Sequence, residues 1–158
     1  MSRQQFEPLP DNALVFRVGQ TGKEFFPEGA RFPNEKFFVP SSTDVKEGKK
    51  RGRRPGLSAW DRELTTPDQA KTLMFNPTPS KAKLAVFGLI TGTIRNIGQQ
   101  AGVELDVVAD PLTTRHEPGA DGHALIEGLK RPPGGDRLLY KGVRDDLVET
   151  CRTTVVPD

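Results

Sequence analysis

Residues 84–108 read LAVFGLITGTIRNIGQQAGVELDVV. The apolar run Leu84 to Ile90 has the length of a buried strand. Thr91-Gly92-Thr93 follows as a tight turn, after which Ile94, Ile97 and Ala101 fall on one face of a helix that Gly102 stops. Val103 to Val108 then reads as a second strand. A strand, a short helix and a strand in succession fit a parallel right-handed crossover, and equally two strands placed apart in a mixed sheet.

Outward from this unit, Asp110-Pro111 ends the second strand, Thr113 to Gly122 is a polar loop, and His123-Ala124-Leu125-Ile126 is a further strand. Past Lys130 to Gly135 a last helix starts at about Asp136. Leu139, Val143, Leu147 and Cys151 recur every four residues on one of its faces, which makes it a cover for the sheet. On the N-terminal side, Thr66, Pro67, Asp68 and Gln69 form a helix start with a capping box, Pro at the first helical position and an acid at the positive dipole end. That helix runs to about Met74, before Asn76-Pro77. Ala13 to Val18 and Lys36 to Val39 read as strands, the second closed by Pro40 and Ser41-Ser42-Thr43, and Leu57 to Asp61 as a short strand or extended piece. The sequence therefore predicts an α+β fold: a mixed sheet of four to six short strands covered by two or three helices, in one domain over residues 1–158.

The chain has 158 residues, and its 16 glycines and 14 prolines are more than an average domain of this size carries, which implies long connections around a modest core. No stretch approaches the run of about 20 apolar residues that crosses a bilayer. The first residues lack the apolar segment of a secretory signal. Cys151 is the one cysteine, so neither an intrachain disulfide nor a thiolate zinc cage can form. These features predict a cytoplasmic protein with no membrane partner.

The formal charge of +2 conceals an uneven distribution. Lys46, Lys49, Lys50, Arg51, Arg53 and Arg54 against Glu47 place a net five positive charges in nine residues, which leaves the rest of the chain net acidic. Gly48, Gly52 and Pro55 disfavour a helix there, so the segment reads as a flexible basic loop at about 44–55. Lys50-Arg51-Gly52-Arg53-Arg54-Pro55 resembles the AT-hook, whose arginines flank a glycine to lie in a narrow minor groove. Arg54 here separates Arg53 from the proline and moves it out of register. The resemblance implies nucleic-acid binding by the six cations, through phosphates whatever the groove geometry; the alternative is a solvated segment.

Other candidates carry less pattern. Thr91-Gly92-Thr93 matches neither a dinucleotide fingerprint nor a Walker loop and reads as a cap. His116 and His123, with Asp110, Glu117 and Asp121, have no spacing that demands a metal, and His123 reads as packed or hydrogen-bonded. Trp60 reads as a core or rim residue and Cys151 as a buried one. The order Arg17, then Ser41, Ser42 and Thr43, then Glu127 or Glu149 resembles that of ADP-ribosyltransferases. That resemblance implies an arginine on NAD phosphates, hydroxyls positioning the ribose, and a carboxylate on a ribose hydroxyl.

Phe38-Val39-Pro40, Gly56-Leu57-Ser58 through Asp61, Asp110-Pro111 and His123-Ala124-Leu125-Ile126 together resemble a family of small uncharacterised bacterial proteins, from Phe16 to about Leu147. The resemblance implies one domain and no particular activity. With no cofactor fingerprint, the first functional reading is a non-enzymatic module, an accessory or immunity-type subunit whose partner is another protein. Nucleic-acid binding through Lys46 to Arg54 is the second reading, and an NAD-using enzyme the third.

Overall fold

Leu14–Gln20 forms β1 and Leu84–Ile90 forms β3, paired antiparallel along their whole length from Leu14 opposite Ile90 to Gln20 opposite Leu84. The computed structural model describes residues 2–75 and 77–158. Gly56–Asp61 (β2), Asp106–Ala109 (β4) and His123–Glu127 (β5) complete a five-stranded sheet in the order β3-β1-β2-β5-β4.

Every neighbouring pair is antiparallel, so the α+β fold is as expected but the mixed sheet predicted from the sequence is corrected to an antiparallel one. The unit over residues 84–108 explains how. β3 and β4 run in the same direction, as a crossover requires, but they occupy opposite edges with three strands between them. Their connection, α3 (Thr91–Ala101), begins directly at the end of β3 with no intervening turn, and the Ile90 cap position gives it no side-chain cap. Instead the backbone N–H groups of Thr91 and Gly92 donate to Ala13 and Asp11 carbonyls, tying the helix start to the entry of β1.

Alternation along the strands sorts side chains between two faces. On one face Val15, Leu57, Phe87, Leu89, Val107, Ala124 and Ile126 are buried. They pack against α3 and α4 (Arg137–Cys151) and a short 3-10 turn, Glu35–Phe38. On the other face Phe16, Val18, Trp60 and Leu84 pack with Ala70 and Leu73 of α2 (Pro67–Met74). The expected capping box of α2, Thr66 with Gln69, is formed. On α4, Val143, Leu147 and Cys151 are buried, whereas Leu139 is 38% exposed and drops out of the expected stripe.

Two further expectations are corrected. Lys36 to Val39 is not a strand: Asn34 caps a 3-10 turn by accepting from the Lys36 N–H, and that turn buries Phe37 and Phe38 together. The basic segment is not a loop either. Ser42–Arg51 is a helix, α1, capped by a reciprocal Ser41–Asp44 box. Its glycines close the helix instead of breaking it. Gly52 takes the left-handed conformation at φ 66°, its N–H reaching the Lys49 carbonyl, while the Arg53 N–H reaches that of Gly48 at 2.9 Å. This is a Schellman ending. A Cβ on Gly48 would lie 2.8 Å from the Arg53 carbonyl oxygen, so the returning chain requires glycine there. α3 ends by the same device, with Gly98 and Gly102.

Candidate active site

Strand alternation puts Ser58 and Trp60 of β2 on one face. In the β2–β5 register Trp60 stands opposite His123 and Ser58 opposite Leu125. Ser58 and His123 are therefore diagonal neighbours, within side-chain reach. Asp110 follows directly on β4; its N–H donates to the His123 carbonyl at 2.8 Å. Three strands thus deliver a serine, a histidine and an aspartate to one point.

The His123 imidazole is buried. Its Nδ1 lies 3.0 Å from Asp110 Oδ2 and 3.2 Å from the Asp110 carbonyl oxygen. Both are acceptors at neutral pH, so Nδ1 carries the proton and donates. Nε2 lies 3.0 Å from Ser58 Oγ, and in the neutral ring it presents a lone pair that accepts the serine hydroxyl. Trp60 meets the imidazole edge-on with ring centroids 4.9 Å apart, which fixes the ring plane.

Asp110 is itself held from several sides. Arg51 Nη1 donates to its Oδ1 at 2.7 Å, and Gln5 Nε2 donates to the same oxygen. Burial alone would raise its pKa; the hydrogen bonds from His123, Arg51 and Gln5 outweigh that and hold the carboxyl well below the usual carboxylate range. The aspartate is therefore ionised throughout the neutral range, which locks the imidazole tautomer.

A cavity of about 170 Å³ opens on Ser58 and His123, closed over by α1 and lined by Asp44, Arg51 and Arg53, with Phe6 at its side. Arg53 forms two hydrogen bonds with buried Glu127, at 3.0 and 2.7 Å, and its guanidinium lies 4.2 Å from the Phe6 ring centroid. Arg54 donates to the Glu104 carbonyl at 2.6 Å. Ser58 and Asp44 also line a second, larger cleft of about 800 Å³.

That cleft exists because β1 and β2 separate. They pair only at Val15–Asp61 and Phe16–Trp60. Beyond that point Arg17 inserts its guanidinium, donating from Nε to the Ser58 carbonyl at 2.9 Å and from Nη1 to the Phe37 carbonyl. The group lies 4.3 Å from the Phe37 ring centroid. Desolvation lowers its pKa to about 10, with Asp44 and Cys151 acting in the opposite sense. Arg17 fastens the backbone of Ser58 from one side while His123 engages its hydroxyl from the other.

The residues singled out in the sequence fall as follows. Arg17 and Ser41 do share the larger cleft, but Ser41 Oγ accepts from the Asp44 N–H as the α1 cap, and Ser42 is the exposed first residue of that helix. Glu127 is bound to Arg53, and exposed Glu149 pairs with Arg152. The arginine, serine and glutamate of an NAD site do not converge. Of the six cations of the basic segment, Arg51, Arg53 and Arg54 are turned onto Asp110, Glu127 and the Glu104 carbonyl, and Lys50 pairs with Glu47. Lys46 and Lys49 are exposed. His116 is exposed in the loop before β5. No group of three potential metal ligands occurs among the described residues.

Sequence reading missed Ser58 as a site residue; it set Asp110 at a strand end and read His123 as packed or hydrogen-bonded, as it is, but did not bring the three together. Only two signals bore on it: the alternation that pairs Ser58 with Trp60, and an Asp-Pro placed at a strand end. Compared with protein-family models, with curated proteins and with solved structures, the chain matches none of them.

Proposed function

We propose that this protein is a serine-dependent hydrolase or acyltransferase acting on a carbonyl compound. Ser58 is the nucleophile, His123 the general base and then the general acid, and Asp110 the group that positions the imidazole. The observation that carries this reading is the chain of contacts Ser58 Oγ to His123 Nε2 and His123 Nδ1 to Asp110 Oδ2, both 3.0 Å, beside two cavities. Such a constellation is recognised by geometry and roles, whatever the fold.

In the reaction, Ser58 Oγ attacks the substrate carbonyl carbon as its proton passes to His123 Nε2. The imidazolium, stabilised by Asp110, returns that proton to the departing alkoxide, thiolate or amine, and the acyl group stays on Ser58. Water, deprotonated by His123, then adds to the acyl carbon; the carboxylic acid leaves and Ser58 regains its proton. In this reading Arg51 and Arg53, which line the smaller cavity, would offset the charge that develops on the carbonyl oxygen.

The reading is tested by hydrolysis of 4-nitrophenyl esters of graded acyl length. The parent protein is expected to release nitrophenolate, and Ser58→Ala and His123→Ala to lose about a thousandfold or more in kcat/KM. Equal rates in the parent and in folded Ser58→Ala would end the proposal.

A further inference from the structure

The larger cleft is lined by both apolar and charged side chains. Phe25, Phe37, Val39, Met74 and Phe75 supply apolar wall, and Val39 and Met74 stand 45% and 38% exposed. Large apolar side chains left facing a concave space mark a site for an apolar ligand group. Among the charged residues that line the cleft, the cations Arg17, Lys23, Lys36, Arg137 and Arg144 outnumber the acids Glu24, Glu35 and Asp44. Lys36 is paired with Glu24, and Arg144 with Glu35 at 2.6 Å. Lys23 and Arg137, both exposed, take part in no ion pair among the described residues, and the hydrogen bonds of Arg17 go to carbonyls. An apolar trough with cations in excess complements an amphiphile that carries negative charge.

We infer that the cleft holds the apolar chain of a medium-length carboxylic acid, so that the substrate is an acyl compound of such an acid and the released carboxylate is retained by the cationic rim. This rests on the hydrolase reading above. Ser58 and Asp44 line both spaces, which brings the cleft to the reacting serine, and Lys23 and Arg137 line the same cleft and would attract the charge that exists only after the acyl bond is cleaved. The site is thus a product site as well as a substrate site.

Trp60 is the single tryptophan and donates from Nε1 to Met74 Sδ at 3.4 Å, so a ligand that moves Met74 alters its emission. The experiment titrates Ser58→Ala protein, which cannot turn over, with sodium octanoate, sodium acetate and 1-octanol, following Trp60 fluorescence and heat. Octanoate is expected to saturate the protein and to bind at least tenfold tighter than acetate or octanol. Lys23→Gln with Arg137→Gln, both surface changes that spare the core, is expected to weaken octanoate about tenfold through loss of charge-assisted contacts. Octanoate binding no better than acetate, or undiminished in the double variant, would overturn the inference while leaving Ser58 chemistry to stand on its own test. Octanoate binding to Ser58→Ala, together with a parent protein that does not hydrolyse 4-nitrophenyl octanoate, would overturn the substrate assignment together with the hydrolase reading.

Discussion

Ser58 and His123 face each other diagonally across the antiparallel β2–β5 pair, with Oγ and Nε2 3.0 Å apart. Neither residue sits on a loop. The sheet register fixes their separation, and Arg17 and Asp110 secure the far side of each, by the Ser58 carbonyl and by His123 Nδ1. The pair is preorganised by elements that cannot shift without breaking strand pairing.

Asp110→Asn separates orientation from packing. The amide keeps the shape of the side chain, but its NH2 can donate where the carboxylate accepted, which releases the Nδ1–H tautomer. Ester hydrolysis is expected to fall by about four orders of magnitude in kcat with the fold retained, as in other triads so altered. Circular dichroism checks the fold and stopped-assay kinetics the rate. A loss below tenfold would show that Asp110 does not position His123.

The same aspartate sets an acid limit on stability. Its folded pKa is depressed, so its contribution is fully present above the unfolded value of about 3.9 and drains away as pH falls from there toward the folded value. Urea unfolding between pH 6 and 3 is expected to show the parent losing stability faster than Asp110→Asn, the two curves converging with acid. Parallel curves would contradict this.

Gly48→Ala tests whether the basic segment is a built helix. A methyl group at that position meets the Arg53 carbonyl oxygen at 2.8 Å, and backbone cannot yield as a flexible side chain can. Despite the better helix propensity of alanine, a loss of about 1–3 kcal/mol is expected from the clash, read from urea midpoints. In a flexible loop the same change would be neutral or slightly stabilising.

Arg53→Ala leaves Glu127, 2% exposed, without its two guanidinium hydrogen bonds. An uncompensated buried carboxylate costs about 3–5 kcal/mol, an upper figure here because the arginine itself is partly solvated. Arg53→Ala with Glu127→Gln is expected to recover much of that loss. A double variant no better than the single would show the pair to be unimportant.

What was legible in the sequence was local. Thr66 to Gln69, the apolar run of β3, His123 to Ile126 and the stripe Val143, Leu147, Cys151 each follow one short-range rule, and each formed as expected. α1 was also written locally, in Ser41 with Asp44 and in Gly52 as a terminal glycine, but Gly48 and Gly52 read as breakers because their role depends on where Arg53 returns. Lys36 to Val39 has strand-like composition, and only the packing of two adjacent phenylalanines into the core makes it a 3-10 turn. The site as an assembly was not legible. Ser58, Asp110 and His123 meet through the pairings of β2, β5 and β4, and no short-range rule specifies which strands become neighbours.

The most direct test of Ser58 as a nucleophile is covalent capture by a fluorophosphonate, followed by intact mass and peptide mapping. The account predicts one adduct, on Ser58, that is absent from Ser58→Ala and slowed at least a hundredfold in His123→Ala, as expected when the general base is removed. A folded protein that takes no label on Ser58, or takes it equally fast without His123, would contradict it.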